Sequence, residues 1–134
     1  MDYDELAELA FKAEPGAGSI TLGPYFDGER TPNRPDATAS LTGLTLHNTT
    51  KENLARAFVE GLLCSQRDCP ELIRSLGAEI NRILPIGGGA KSVAIRTLAP
   101  SILGIDATRP ATDQYVAIGV PRPAARTQPR GAVS

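Results

Sequence analysis

An apolar run that ends in three consecutive glycines constrains this chain more than any other feature. From residue 80 to residue 92 the sequence reads Ile-Asn-Arg-Ile-Leu-Pro-Ile-Gly-Gly-Gly-Ala-Lys-Ser. The apolar part predicts a strand over 80–86, and the residues from Ser92 to Leu103 predict a helix. Glycine takes positive φ readily and lets a ligand approach the main chain, while free N–H groups at a helix start attract anions. The pattern therefore indicates a nucleotide-binding turn at Gly87, Gly88 and Gly89.

Several interpretations of this turn compete. A Walker A loop needs glycine directly before the Lys91-Ser92 pair, where this chain has Ala90, so that motif is excluded. A dinucleotide fingerprint fits better, with Gly87 and Gly89 in its first two positions, Ser92 in place of the third glycine, and Asp106 at the next predicted strand. That fingerprint belongs at the first strand of a doubly wound domain, whereas only about one further strand is predicted here. A structural alternative is that the glycines merely allow tight packing of the strand on the helix.

The rest of the chain predicts alternating helices and strands, which is typical of the α/β class. Thr49-Thr50-Lys51-Glu52 matches a capping box and opens a helix to about Gln66, with Leu54, Ala57, Phe58, Gly61 and Leu62 on one face. Proline at position 70 predicts a new turn or a second helix up to Leu76. The remaining predicted elements are a helix over 5–14, strands over 19–26 and 40–46, a polar loop over 27–38, a strand over 105–108, a helix over 113–125 and a disordered tail over 127–134.

Length and charge exclude several classes of function. The 134 residues fit one domain, and 14 Lys and Arg against 15 Asp and Glu give a net charge of −1. Such a chain lacks the excess of positive charge that binds nucleic acid or an anionic membrane.

The spacing of Cys64 and Cys69 indicates neither a disulfide framework nor a metal site. The acidic start, without a basic region or a long apolar stretch, predicts a cytoplasmic protein, and His47 reads as a surface residue.

From residue 25 to residue 125 the order of motifs resembles the C-terminal half of the FGGY carbohydrate kinases, most closely the xylulokinases. Four motifs carry this resemblance. In this sequence they are Pro-Tyr-Phe-Asp-Gly-Glu-Arg-Thr-Pro (24–32), Ala-Ser-Leu-Thr-Gly-Leu with Asn-Leu-Ala-Arg-Ala-Phe-Val-Glu (39–44 and 53–60), Ile-Gly-Gly-Gly-Ala-Lys-Ser (86–92) and Asp-Gln-Tyr-Val-Ala-Ile-Gly (113–119). Phe58 departs from the family pattern, which has a smaller residue or Ile, Val or Met there.

The resemblance implies an actin-like ATPase or ribonuclease-H-like α/β domain over residues 1–126, the second of two domains that close over ATP and a ketose. It assigns one group of residues to ATP: Gly87, Gly88, Gly89 and Ala90, with Lys91 and Ser92 beside them. It also places Glu29 and Arg30 near the interdomain cleft, where Arg30 meets phosphate charge and Glu29 orients Arg30. A solvated polar loop is the open alternative for this segment.

The resemblance further implies transfer of phosphate from ATP to D-xylulose, a pentulose, giving D-xylulose 5-phosphate and ADP with Mg²⁺. The catalytic base and the first phosphate loop of the family lie upstream, and no residue of this chain matches a catalytic or metal-ligating position. We therefore expect the isolated chain not to phosphorylate sugar.

Prolines at positions 70, 85, 121 and 123 fall inside predicted elements and weaken them. With one domain lacking, they indicate a truncated or decaying reading frame, or a half-protein that needs a partner. Two classes of function stay open: a fragment of a sugar kinase, or a non-catalytic remnant or nucleotide-binding module that self-associates through uncovered apolar surface. A dinucleotide-binding fragment is a third alternative.

Overall fold

A computed structural model describes residues 2–105 of the chain, in which a long central helix packs against two other helices and one small sheet. The predicted helix over 113–125, the tail over 127–134 and all but the first residue of the strand over 105–108 lie outside the described residues. The helices are α1 (Tyr3–Lys12), α2 (Lys51–Ser75) and α3 (Val93–Leu103), the strands are β1 (Thr21–Gly23) and β2 (Ser40–Thr42), and short 3-10 turns occupy Ala17–Ser19 and Gly88–Lys91.

Helix α1 confirms the predicted first helix, with bounds two residues earlier. Asp2 is its N-cap, and the Asp2 carboxylate accepts a hydrogen bond from the main-chain N–H of Glu5 at 2.8 Å. The negative charges of Asp4 and Glu5 lie in the first turn, where the helix dipole favours them. Ala7, Leu9 and Ala10 form the buried face of α1.

The main hydrophobic core lies where α1 and α3 pack against α2. From α2 it takes Ala55, Val59 and Leu63, which recur every fourth residue and so share one face. This face differs from the one predicted around Ala57 and Gly61, which packs on the other side of the helix. The other buried members of the core are Ala7, Leu9, Ala10, Ala94, Leu98, Ala99 and Leu103, and four of these seven are alanine, so the helices approach with little side-chain bulk between them.

The second face of α2 carries the sheet and the turn before it. β1 and β2 pair antiparallel over three residue pairs, with Leu22 opposite Leu41. A Cβ placed on Gly61 would lie 2.7 Å from the Cβ of Leu22 and 2.9 Å from its carbonyl oxygen. Only glycine therefore lets α2 approach β1 this closely.

Both observed strands are shorter than the predicted ones. The segment before β1 explains the late start of that strand, because Ala17 and Ser19 have φ of 49° and 73°, in the left-handed region. The flanking Gly16 and Gly18 have positive φ as well, so four successive residues turn left-handed before the chain extends at Thr21.

Helix α2 corrects the prediction of a break near Pro70, because it runs without interruption from Lys51 to Ser75. Proline removes one N–H and thereby leaves the carbonyl of Gln66 without its helical donor. Gln66 is exposed, so water is able to bond that carbonyl and the helix continues. The capping prediction also shifts by one residue, since the Thr50 hydroxyl, not that of Thr49, accepts from the N–H of Asn53 at 3.2 Å.

The predicted strand over 80–86 is wrong for the described structure. These residues are irregular, and only Ile83 has the character of an isolated bridge. Pro85 lacks the N–H that a central strand donates, and the one regular sheet within residues 2–105 is the β1–β2 pair. Regular alternation of strands and helices, the basis for predicting an α/β domain, is therefore not seen within the described residues.

Among residues 2–105, no helix combines the length and the apolar character needed to cross a lipid bilayer.

We expect Gly61→Ala to lower the free energy of unfolding by about 1–3 kcal/mol, because the added methyl group overlaps Leu22 and forces α2 away from β1. Chemical denaturation followed by circular dichroism measures this change. Gly88→Ala is the matched control, since a Cβ there meets no atom of the described residues within 4 Å. Equal stability of the two variants would contradict the assigned role of Gly61.

We expect Thr50→Ala to cost about 1 kcal/mol of unfolding free energy, because it removes the cap of α2, whereas Thr50→Ser retains the hydroxyl and nearly all of the stability. The same denaturation measurement checks both variants. A loss for Thr50→Ser as large as that for Thr50→Ala would show that the methyl group, not the cap, matters.

Candidate functional site

The glycine turn has one left-handed residue and then a tight 3-10 turn. Gly87 has φ of 84°, as expected, but Gly88 and Gly89 do not take positive φ, which corrects that part of the prediction. The N–H of Ala90 bonds the carbonyl of Gly87 at 3.2 Å, and the N–H of Ser92 bonds that of Gly89 at 3.1 Å. The chain then enters α3 directly, as the sequence predicts.

No described residue packs against the faces of the three glycines where side chains would be. A Cβ added at Gly87, Gly88 or Gly89 would meet no atom of the described residues within 4 Å. Tight packing of this segment on α3 therefore does not explain the glycines in the described part of the chain. The main-chain N–H groups of Gly88 and Gly89 also have no hydrogen-bond partner within residues 2–105. As far as residues 2–105 are concerned, the turn thus presents unhindered main-chain donors.

The six residues predicted to bind ATP divide into outward and inward groups. Gly88, Gly89 and Lys91 are exposed, and Gly87 is half-buried. Ala90 and Ser92 are buried, with 3% and 7% of their surface exposed. The Ser92 hydroxyl accepts from the N–H of Ile95 at 3.5 Å and so caps α3. Ser92 therefore orders the helix start, and the exposed glycines form the accessible surface.

An apolar groove of about 390 Å³ runs beneath the turn, between α2, α3 and residues 83–86. Among residues 2–105, the side chains that line this groove are apolar apart from Gln66, and none of them is ionisable. Residues that contribute to it include Leu62, Leu63, Ile83, Ala90, Ile95 and Leu103.

The polar loop between β1 and β2 is ordered by its own main chain. Glu29 and Arg34 exchange two main-chain hydrogen bonds of 2.9 and 2.8 Å, and the N–H of Gly28 bonds the carbonyl of Ala37 at 3.0 Å. The Glu29 carboxylate accepts from the N–H groups of Arg30 at 2.7 Å and Thr31 at 3.4 Å. Glu29 thus orders the main chain at Arg30.

Arg30 itself is exposed at the rim of an open cavity of about 470 Å³, which Asp27, Glu29 and Asn33 also line. This cavity contains a cationic guanidinium and two carboxylates, so it is suited to polar ligands. Near the base of the loop, the guanidinium carbon of Arg34 lies 6.0 Å from the centre of the Tyr25 ring, at the outer limit of a cation–π contact.

The structure brings the glycine turn and the polar loop to the same stretch of α2, on different sides. Leu62 and Gln66 line the groove beneath the turn. Gly61, Cys64 and Asp68 line a small cleft of about 200 Å³ with Pro24 and Tyr25 at the start of the loop. Helix α2 therefore separates the two predicted ligand-facing segments.

The thiol of Cys64 lies in this stretch of α2 and lines the small cleft. Burial, followed by the negative charges of Glu60 and Asp68, raises the pKa of the Cys64 thiol, which opposes a nucleophilic role. Within residues 2–105, no group of three His, Cys, Asp or Glu side chains is placed to hold a metal ion. His47 is exposed, as predicted.

Sequence reasoning missed a set of polar residues that connect α2 with the segment before β1. The carboxylate of Glu60 pairs with the buried guanidinium of Arg56 and accepts from the N–H of Gly16 at 3.1 Å. The side chain of Asn48 donates to the carbonyl of Gly18 in the same segment, and the side chain of Asn53 in turn donates to the carbonyl of Asn48. Gly16 and Gly18 are the sequence feature that points to this segment, because glycines at alternate positions favour left-handed main chain. Side chains from elsewhere then bond the main-chain groups of these two residues.

Comparisons with known proteins agree with this architecture. Residues 2–127 match the FGGY family of carbohydrate kinases, C-terminal domain. The chain is 37% identical over 119 residues to a xylulose kinase of Haemophilus influenzae, covering 89% of this chain and 24% of that protein. It is similar to the crystal structure of xylulose kinase from Bifidobacterium adolescentis, with 79% identity, a TM-score of 0.82, and coverage of 93% of this chain and 25% of the other.

A ligand-bound xylulose kinase structure from Lactobacillus acidophilus is also similar, at 26% identity and a TM-score of 0.78, covering 92% of this chain and 26% of that one. The chain thus spans about a quarter of the length of these relatives. Since the family match covers nearly all of its residues, the chain belongs to the FGGY family of carbohydrate kinases, matching the C-terminal domain of that family.

Proposed function

We propose that this chain is the ATP-binding C-terminal part of an ATP-dependent carbohydrate kinase of the xylulokinase type. The whole enzyme transfers phosphate from ATP to a pentulose, D-xylulose, and works in the cytoplasm. The proposed domain covers residues 1–126 and adopts the actin-like ATPase or ribonuclease-H-like fold. Similarity to xylulose kinases in both sequence and structure supports this assignment.

The open face of the glycine turn is the observation that carries the proposal. Three successive residues lack side chains, no described atom lies within 4 Å of their Cβ positions, and two N–H groups there have no partner among the described residues. An anionic or polar ligand gains hydrogen bonds at such a surface without steric cost. If the glycines were needed only for packing, protein atoms would block their Cβ positions. Gly61 in α2 is an example, because Leu22 blocks its Cβ position.

We assign different tasks to the six residues of the turn. Gly87, Gly88 and Gly89 form the contact surface for the adenosine and phosphate side of ATP, and Lys91 adds positive charge next to it. Ala90 packs against the groove, and Ser92 caps α3 so that the helix dipole points toward the turn. Because Ala90 and Ser92 are buried, they act on the nucleotide through the position of the main chain.

The second assigned element is the polar loop, in which Arg30 faces phosphate charge and Glu29 orders the main chain beneath it. Mg²⁺ accompanies ATP in phosphoryl transfer. The described residues do not by themselves assemble a metal site, so we derive no step through the ion. The base that activates the sugar hydroxyl and most of the sugar pocket belong to a first domain beyond these 134 residues.

The second candidate is a nucleotide-binding module or remnant without catalytic activity, which self-associates as a homo-oligomer. The large apolar side chains left exposed favour it, since they form surface that a further domain or a second copy would cover. Those most exposed are Tyr3 (70%), Phe26 (59%), Leu46 (101%) and Leu76 (79%). A dinucleotide ligand is the remaining alternative, which competition between ATP and NAD tests.

We expect the purified chain to bind ATP and Gly89→Val to weaken that binding at least tenfold, because the added side chain occupies the open face of the turn. Isothermal titration calorimetry measures the affinity. The unfolding free energy of Gly89→Val is expected to stay within about 0.5 kcal/mol of the parent, since the side chain meets no described atom.

Ala78→Val is the matched control for this experiment, because Ala78 is exposed near the end of α2 and also gains bulk. Its affinity for ATP is expected to equal that of the parent. Unchanged affinity in Gly89→Val would remove the turn from the site, and binding of NAD in place of ATP would favour the dinucleotide alternative.

We expect no turnover when the 134-residue polypeptide alone is mixed with ATP, Mg²⁺ and D-xylulose, since no residue in it matches the catalytic base of the family. A coupled assay for ADP measures this, with an intact xylulokinase as the positive control. Sugar-dependent release of ADP by the chain alone would disprove this part of the proposal.

A further inference from the structure

The loop that carries Glu29 and Arg30 emerges from a very short hairpin. Only three residue pairs connect β1 and β2, and the loop between them is long. A two-stranded sheet of this size is barely stable in water, and closing a long loop adds an entropic cost. The ladder alone therefore does not hold the two strands in place, and the packing of β1 on α2 at Gly61 fixes only one of them.

The side chain of Asn48 joins the two ends of this hairpin. Its Nδ2 donates to the carbonyl of Gly18 at 2.8 Å, just before β1, and to the carbonyl of Gly43 at 2.7 Å, just after β2. Its Oδ1 accepts from the N–H of Thr45 at 2.7 Å. One amide group thus bonds the chain on both sides of the hairpin base.

Asn48 is itself held at the start of α2. Its carbonyl accepts from the side chain of Asn53 at 2.9 Å and from the N–H of Thr50 at 2.8 Å, and Thr50 is the cap of the helix. The hydroxyl of Thr45 accepts from the N–H of Asn48 at 3.2 Å. These hydrogen bonds therefore attach the base of the hairpin to the start of α2, the most extensively packed helix of the described fold.

We propose that Asn48 is a positioning residue that sets the orientation of the Glu29–Arg30 loop by clamping both ends of the β1–β2 hairpin to the start of α2. Its functional consequence rests on the proposed function, because that function places Arg30 at the phosphates. The clamp uses both amide donors at once, so no side chain without an NH₂ group reproduces it. Aspartate has the same shape, but it would place an oxygen where the NH₂ group of Asn48 donates to the carbonyls of Gly18 and Gly43, so both hydrogen bonds would be lost.

The test is amide hydrogen exchange of the full chain without nucleotide, comparing Asn48→Asp, Asn48→Ala and the parent. We expect exchange at the loop amides of Gly28, Glu29 and Arg34 to accelerate about tenfold or more in both variants, because the hairpin opens more often. Amides in the interior of α2, from residue 57 to residue 63, are expected to keep the rates of the parent.

Asn81→Asp is the matched control, because it makes the same chemical change at an exposed asparagine and is expected to alter none of these rates. Unchanged loop exchange in the Asn48 variants would overturn the proposal. Equal acceleration in the loop and in α2, or loss of the helical circular dichroism signal in both variants, would also overturn it, since Asn48 would then support the whole fold. The measurement contains no ATP, so its outcome is independent of nucleotide binding at the turn.

Discussion

The close contact between α2 and β1 at Gly61 is the constraint on which the described structure depends. It sets the distance between the long helix and the hairpin that carries the polar loop. On its other faces the same helix packs against α1 and α3 and lines the groove beneath the glycine turn. Both candidate ligand-facing segments are therefore positioned relative to one helix, and a shift of that helix moves them together.

The local elements of this fold could be predicted from the sequence where a short pattern has one physical solution. Helices α1 and α3 follow from apolar spacing with a capping residue, and Asp2 and Ser92 form those caps. Helix α2 was predicted as well, but its continuation through Pro70 depends on water reaching an exposed carbonyl, which a local pattern does not reveal. The sequence also did not predict that α2 is buried on two faces. The residues of the main core face, such as Ala55, are small and give a weak apolar signal.

The candidate site was predictable in its location but not in its division of tasks. Three glycines before a helix indicate a ligand surface, yet only the structure separates the exposed Gly88 and Gly89 from the buried Ala90 and Ser92. The roles of Asn48 and Glu60 depend on contacts with residues 30 and 44 positions away, so no motif of neighbouring residues contains them. The segment over 80–86 was misassigned because apolar content does not supply a strand with a partner.

The abundance of alanine in the main core has a mechanical consequence. Helices that meet largely through alanine present shallow ridges, so a small displacement of one helix along another requires fewer changes of side-chain rotamer than in a core built only from large side chains. Shear motions of closing domains use small displacements of this kind between packed helices. An interior of this type therefore combines close packing with tolerance of small displacements between its helices.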